Sequence, residues 1–456
     1  MSGLQRLGMT WLCCLVIGLP GCEQAEPPAP ENPEDVKAFR WTQWDKGEAI
    51  ADFGRRRKLG LNAAGNWRIA RSRAADPHLT DEQQLQIRQL EALGYVTGSR
   101  PPVAEGISIN EPDEAYPGLN LYTSGHAPEA ILMDMDGNPL HRWRYEFRKA
   151  FPDYPADYPT LSGMEWFCWM HLFENGDILG IYSGAGLVKL NARSEILWAK
   201  SIRAHHDLAV DPDGDIWVLT REPHMIPRLN DEAPILEDFV TRMAPDGKIK
   251  HTFSLLAAFE GTEFEKSWRT ARRAGDLLHT NALYVLDGHG AERVPALAKG
   301  NLLVSMPIPN LVVVVNPETE KVVWAGKGDF VRQHDAQILE TGNLLLFDNL
   351  GLGKRSRALE IDPATMENVW EYKGDSDAPL YSEFIGAVQR LPNGNTLITE
   401  SENGRVIEVT PDGKIVWQFH SPHRAGDAGE FVASLCRMRR LPLEAHSEWL
   451  RSLAPG

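Results

Sequence analysis

Three histidines stand at one recurring place in this sequence. His206 lies eight residues before Gly214 and His334 eight before Gly342, while His279 opens the unit between them, with a longer loop before its Gly300. The matching slots elsewhere hold Cys168, eight before Gly176, and Gly386, eight before Gly394. Laying Arg440-Leu441-Pro442 on Arg390-Leu391-Pro392 puts Cys436 opposite Gly386. Imidazole changes charge near neutral pH, so it can act as nucleophile, acid or base without a cofactor. A lone strand histidine is ordinarily a satisfied core residue. Three at one repeat position call for chemistry if the fold brings those positions together. A structural reading remains, since a polar channel needs polar side chains in any case.

The elements that must position them are written in the repeat. Its late part recurs as "MDGNPLHRW", "ARSEILW", "PETEKVVW", "PATMENVW" and "PDGKIVW", ending at Trp143, Trp198, Trp324, Trp370 and Trp417. In a further copy, "PDGKIKHTF", His251 takes the Trp place. The early part recurs as "HDLAVDPDGDIWVL", "HDAQILETGNLLLF" and "GAVQRLPNGNTLIT". Apolar runs after Gly turns read as buried strands. A period of about fifty residues with four strand signals per unit is the signature of a β-propeller. The pattern predicts six blades. In a propeller the first strand of each blade lines the central channel, so the six slots converge near the axis. The tail "CRMRRLPLEA" reads as a first strand without a second, and residues 117 to 144 lack a first strand. The tail is therefore expected to complete the first blade and remove open sheet edges. That register sets Cys436 beside Cys168 on neighbouring blades and predicts a disulfide close to the axis, or at the least adjacent sulfurs.

The chain of 456 residues carries a net charge of -16, which speaks against nucleic acid or an anionic membrane surface as a partner. It leaves room for a local cationic pocket. The start, "MSGLQRLGMTWLCCLVIGLPGC", has an Arg, a short apolar run and a small residue before Cys22. It reads as a signal peptide over 1-21 with a lipoprotein end, Cys22 being acylated. The competing reading is an ordinary signal cut near Ala25. The Pro/Glu-rich residues 22-36 suit a tether. Residues 37-102 read as a helical extension: Thr80-Asp81-Glu82-Gln83 is a capping box, Ile87, Leu90 and Leu93 mark one face, and Gly94 stops the helix. The expected chain is all-β: a six-bladed β-propeller over 103-445, with a short N-terminal helical extension after a lipoprotein signal peptide. The expected location is outside the cytoplasm, lipid-anchored to the cell envelope on the periplasmic side of the outer membrane.

Several runs carry a more specific likeness: "HHDLAVDPDGDIW" (205-217), "HTNALYVLD" (279-287), "NLLVSMPIPNLVVVVNPETEKVVWAGKG" (301-328), "QHDAQILETGNLLLFDN" (333-349) and "SRALEIDP" (356-363). Over roughly residues 110 to 440 the sequence resembles the bacterial arylsulfate sulfotransferases, exported six-bladed propellers. The resemblance implies transfer of a sulfuryl group from an aryl sulfate donor to a phenolic acceptor in two steps, with neither a nucleotide sulfate nor a cofactor. It implies that His334 takes the sulfuryl group, that His279 and Asn281 hold its oxygens, and that His206, next to His205 in the same run, faces the phenolic oxygen. Asp335 could fix a histidine tautomer or bond the strand backbone.

The sequence departs from the family at one place. The family carries Ser-Ser-Arg after the His-x-Asn strand, and here Ser305-Met306-Pro307 stands there. Neither Met nor Pro replaces a planar, permanently charged fork on a tetrahedral oxyanion. Arg332, Arg355 and Arg357 on the next blade are the candidates to supply the charge. The alternative function is a non-catalytic propeller lipoprotein that binds a small ligand or partner protein at its funnel. A zinc or copper site from the histidines and cysteines is weaker, because a disulfide removes the thiolates and His-x-Asn has no ligand-pair logic; no metal is expected. A quinone dehydrogenase would need more blades than this length allows.

Overall fold

Each repeat folds as an antiparallel sheet, because its apolar segments are separated by turns that permit only next-neighbour pairing. The computed structural model describes residues 66–69, 80, 82–83, 104–154, 165–270, 272–353, 355–375, 379–425, 431–443 and 448–449. Within them lie six blades. Blades 2 to 6 cover 167–200, 204–254, 282–326, 334–372 and 387–420. Blade 1 joins Leu435–Leu441 to three strands within 119–144, with Leu435 paired to Ser124 and Leu441 to Leu119. The tail strand thus closes the ring, as the repeat register predicts. Gly106–Asn110 adds a fifth, outer strand to blade 6 by pairing with 417–420. Between blades the packing is apolar; Leu311 to Val315 in the middle of blade 4, for example, are all fully buried.

The repeated tryptophan staples one blade to the next. The indole N–H of Trp143 donates to the Gly176 carbonyl (2.9 Å), Trp198 to Pro245 (3.2 Å), Trp370 to Pro411 (2.8 Å) and Trp417 to Met135 (2.9 Å). In each case the acceptor belongs to a turn of the following blade, and for the buried Trp143 and Trp417 the donor is satisfied only when the neighbour is in place. His251 makes the equivalent reach, with Nε2 2.7 Å from a carboxylate oxygen of Glu320 in blade 4.

Blade 3 departs from the repeat. Its second and third strands, Ile216–Ile226 and Asn230–Met243, run 11 and 14 residues and form an arm beyond the ordinary blade. The far end of the arm pairs in parallel with Gly275 and Asp276. The N-terminal extension also differs from the helical expectation in part. Trp67–Ile69 is a strand, antiparallel to Phe431–Ala433. Asn66 exchanges backbone hydrogen bonds with Gly125 and Ser434, which fixes that strand against the first blade. The capping box does form: the Thr80 N–H donates to the Gln83 side chain (2.9 Å) and the Gln83 N–H to the Thr80 hydroxyl (3.2 Å). Ile87, Leu90 and Leu93, the signal peptide, Cys22 and the 22-36 tether lie outside the described residues.

Ring closure is clasped by Arg440, which is 1% exposed. Its guanidinium lies 3.0 Å from Glu408 of blade 6, donates to Asn120 (2.6 Å) of blade 1, and sits over the Trp417 ring. Removing one partner strands a buried charge, which costs about 3–5 kcal/mol. Arg440→Ala is therefore expected to destabilise the protein by that amount in denaturant unfolding, and Arg440→Lys by nearly as much, because a point charge does not reproduce the fork.

Candidate functional site

The inner strands do not pass the axis as regular ladders. The pairing shifts at the recurring slot in blades 1, 2, 3 and 5: between Leu435 and Arg437, Phe167 and Trp169, Ala204 and Leu208, and His334 and Gln337. A bulge inserts a residue and re-aims its side chain, a device common beside active sites. In blades 4 and 6 the slot residues His279 and Gly386 lie just before the inner strand begins. Gly386 is needed because a Cβ there would come within 2.2 Å of the Phe347 ring. His206, His279, Arg332 and Asp335 all adopt left-handed backbone conformations, with φ between 52° and 57°. Each costs about 1–3 kcal/mol and persists only where the surroundings impose it.

The slot brings the three histidines together. The His206 and His279 rings are 4.8 Å apart, edge to face. His334 lies within electrostatic reach of both. Its tautomer is fixed. Nδ1 lies 2.9 Å from the Arg332 carbonyl and 2.8 Å from Oδ1 of Asn349, two groups that only accept. Asn349 cannot flip, because its amide nitrogen donates to the Ser382 and Ile385 carbonyls. The proton therefore sits on Nδ1, and Nε2 keeps its lone pair. Burial, and the His279 charge after it, push His334 down to about 4, although the Asn349 hydrogen bond works the other way. At neutral pH it is an unprotonated imidazole.

The other two rings are oriented by partners behind them. His279 Nδ1 lies 2.5 Å from Asp276 Oδ2. Burial alone would raise that carboxyl; the His279 imidazole beside it holds it below the usual range. His206 Nδ1 is 2.9 Å from His205 Nδ1, and His205 Nε2 is 3.2 Å from Asp238. His205 Nε2 is buried and makes no aligned hydrogen bond to that carboxylate. The Nδ1–Nδ1 contact engages one nitrogen of each ring and leaves His206 Nε2 outside it. His205 is fully buried and works behind His206 rather than at a substrate-facing surface. Burial, with the charges of His279, His205, Arg221 and His334, sets the His206 pKa well below its ordinary value.

Several expectations need correction. Arg357 is not available to an anion: Asp348 (2.8 Å), Glu371 (2.9 Å) and Asp329 (2.9 Å) hold its guanidinium. Arg355 is exposed to solvent. Asn281 spends its amide nitrogen on the Gln333 carbonyl (2.9 Å), and its Oδ1 is the buried atom left over, so it presents an acceptor where a donor was expected. Cys168 and Cys436 are neighbours but unbonded. Burial pushes the Cys168 thiol up to about 12, so neither sulfur is a ready thiolate. Asp335 does not hold a histidine tautomer. It accepts the Val388 N–H (2.8 Å) and pairs with Arg439 (2.7 Å) and Arg437 (3.4 Å).

The site also contains an arginine that the repeat pattern does not point to. Arg221 sits where the blade 3 arm leaves the blade, is 5% exposed, and is paired in register with Asp238. Its charge acts on His205, His206 and Asp276. Pro307, at the place where the family has Arg, is buried just after the blade 4 strand Leu302–Met306. The signal available in the sequence was the long stretch "REPHMIPRLNDEAPILEDFV", which has no glycine and interrupts the regular turn spacing.

A different set, His126, Glu129 and His423, has ligand atoms within 4.8 Å of one another. The two imidazoles stack with centroids 3.4 Å apart and planes at 8°, so their lone pairs run parallel instead of converging on an ion. Arg142 already holds Glu129 at 3.0 Å. These residues fit a structural contact, not a metal centre.

The depressed histidines have a measurable signature. In the unfolded chain they protonate near pH 6.5, and in the folded chain His334 does so only near 4. The unfolded state binds more protons across that window, so stability is complete above about pH 6.5 and falls as the pH drops toward 4. Nitrogen NMR of the imidazoles at pH 7 is expected to show His334 protonated on Nδ1 alone, and Asn349→Ala is expected to mix the two tautomers.

No curated protein sequence matches the chain. Solved structures similar to it include a protein of unknown function from Bacteroides caccae (14% identity, 71% of this chain and 98% of that one, TM-score 0.45). A streptogramin B lyase (14%, 76% and 95%, 0.39) and the Cps50 (Swd1) β-propeller domain of Myceliophteria thermophila (10%, 75% and 100%, 0.42) are others. At such identities the likeness concerns architecture alone. The family comparison goes further: residues 173–422, more than half of the sequence, match the arylsulfotransferase (ASST) family, and the chain belongs to that family.

Proposed function

We propose that the protein transfers a sulfuryl group from an aryl sulfate to a phenol through a sulfated His334. The observation that carries this reading is the fixed tautomer. Both acceptors facing Nδ1 hold the proton there, so the Nε2 lone pair is the reactive end. In the first half-reaction that lone pair forms an N–S bond while the S–O bond to the aryl oxygen breaks. The electron pair leaves with the phenolate, and the ring keeps its Nδ1 proton between Arg332 and Asn349. A neutral imidazole is a competent nucleophile, and a covalent intermediate divides one hard transfer into two easier ones. In the second half-reaction the acceptor phenol loses its proton to His206 Nε2, its oxygen bonds to sulfur, and the N–S bond returns its electrons to His334.

His206 is suited to that proton. Crowding by burial and by the neighbouring cationic and imidazole groups keeps it neutral in the empty site, ready to act as a base. Arrival of the sulfate anion offsets the repulsion and raises its proton affinity, which favours the acid form when the first phenolate departs. Arg221 provides the permanent positive charge that the family places after the His-x-Asn strand. A guanidinium in a buried site stabilises the charge spread over the transferring oxygens without reorganising.

The test is an assay with an aryl sulfate donor and a second phenol. Wild type is expected to turn over the donor only when the acceptor is present, while donor alone is expected to release a single equivalent of phenol and add one sulfuryl mass to the His334 peptide. His334→Asn should abolish both, and Arg221→Gln should lower kcat by on the order of 10²-fold. Absence of turnover together with an unmodified His334 would favour a binding propeller instead. The reading includes an envelope setting with Cys22 as anchor. Labelled palmitate should enter the wild type and not Cys22→Ser; equal labelling of both rules out that anchor.

A further inference from the structure

Of the three slot histidines, one has a carboxylate against its ring. His334 faces the Arg332 carbonyl and the Asn349 amide oxygen, and His206 faces the His205 ring. His279 has Asp276 instead, with Nδ1 2.5 Å from Oδ2. Both side chains are largely out of solvent, His279 at 14% exposure and Asp276 at 11%. Neither half-reaction gives this pair a part.

The surroundings fix the charge of the pair. Oδ1 of Asp276 is buried and has no hydrogen-bond partner among the described residues. A buried carboxylate satisfied on one oxygen is tolerated as an ion only when its partner carries charge. Burial works to raise the Asp276 carboxyl, and the His279 ring, with Arg221 and His205 behind it, brings it below the usual range. An ionised carboxylate only accepts, so Nδ1 of His279 carries a proton and Nε2 is the nitrogen left for a ligand. The other groups that feel the His279 charge are imidazoles: His205 and His206 from blade 3 and His334 from blade 5. Burial depresses all three, so a proton shared among these rings settles on the one with the carboxylate.

Asp276 lies outside the repeat and is held by the blade 3 arm. Leu236 and Ile235 of the arm pair in parallel with Asp276 and Gly275, and the Asn230 side chain donates to the Arg273 carbonyl (2.9 Å). From this geometry we infer, building on the sulfuryl-transfer reading, that Asp276 is a positioning residue that keeps His279 an imidazolium, so that Nε2–H and a full positive charge meet the sulfate oxygens. Asp276 itself does not touch the sulfate. A charge-assisted hydrogen bond is about twice as strong as a neutral one. The Asn281 amide nitrogen is already spent on the Gln333 carbonyl, which leaves His279 as the donor of the His-x-Asn pair.

Nitrogen NMR of the imidazoles at pH 7 tests this without turnover. In the wild type His279 is expected to carry protons on both nitrogens, beside a His334 protonated on Nδ1 alone. Asp276→Asn is expected to leave His279 neutral. His334, relieved of that neighbouring charge, should then protonate at a higher pH than about 4. With phenyl sulfate and a second phenol, Asp276→Asn should lower kcat on the order of 10²-fold and move its alkaline edge to lower pH. A neutral His279 in the wild type overturns the assignment whether or not the variant folds. So does an imidazolium that survives in Asp276→Asn, or a slower variant whose alkaline edge has not moved. The expected spectra with no turnover of aryl sulfate sustain the role of Asp276 on His279 and overturn sulfuryl transfer.

Discussion

Two arginines and two aspartates hold the middle of this molecule. Arg437 and Arg439 come from the last strand of the ring, Asp207 from blade 3 and Asp335 from blade 5. All four are buried or nearly so. Buried ions are tolerated only when paired and hydrogen-bonded, and the remaining lone pairs here are met by backbone: Leu283 N–H donates to Asp207 and Val388 N–H to Asp335. Arg437 and Arg439 also lie over the Trp169 ring. Blades 1, 2, 3, 4, 5 and 6 therefore each contribute a group to one connected set. Asp207 and Asp335 are the residues immediately after His206 and His334. Clamping those two carboxylates fixes the backbone that aims the two imidazoles, and it sustains the left-handed turns at His206 and Asp335.

The repeat made the ring legible because its period, its Gly turns and its terminal Trp are local signals that recur. The closing role of residues 435–441 was legible for the same reason. The convergence of His206 and His334 followed from their shared offset before the turn, and that of His279 from its place at the opening of its unit. What escaped was set by side-chain contacts that no repeat signal marks. Nothing local to Asn349 announces that it orients His334, fifteen residues earlier in the same blade, and Asp276 lies in the long loop before His279, outside the repeat pattern. Arg357 looked available because its three carboxylates, Asp329, Asp348 and Glu371, are spread along the sequence. The cysteines were correctly placed as neighbours, but proximity in a register does not supply the sulfur geometry of a bond.

The position at which the family carries an arginine is here Pro307, buried just after the blade 4 strand Leu302–Met306. The permanent positive charge that reaches His205 and His206 belongs instead to Arg221, on the elongated hairpin of blade 3. That hairpin is the respect in which the electrostatics of this funnel differ from what the repeat alone would build.

Ring closure has a consequence in time as well as in space. The chain emerges from its N-terminus, and the strand bearing Arg437 and Arg439 is the last of the ring to appear. Until it docks, Asp207 and Asp335 lack their arginine partners and keep only the backbone N–H groups of Leu283 and Val388. A chain halted or clipped before that strand carries every histidine of the cluster without the ion pairs that brace the turns at His206 and His334.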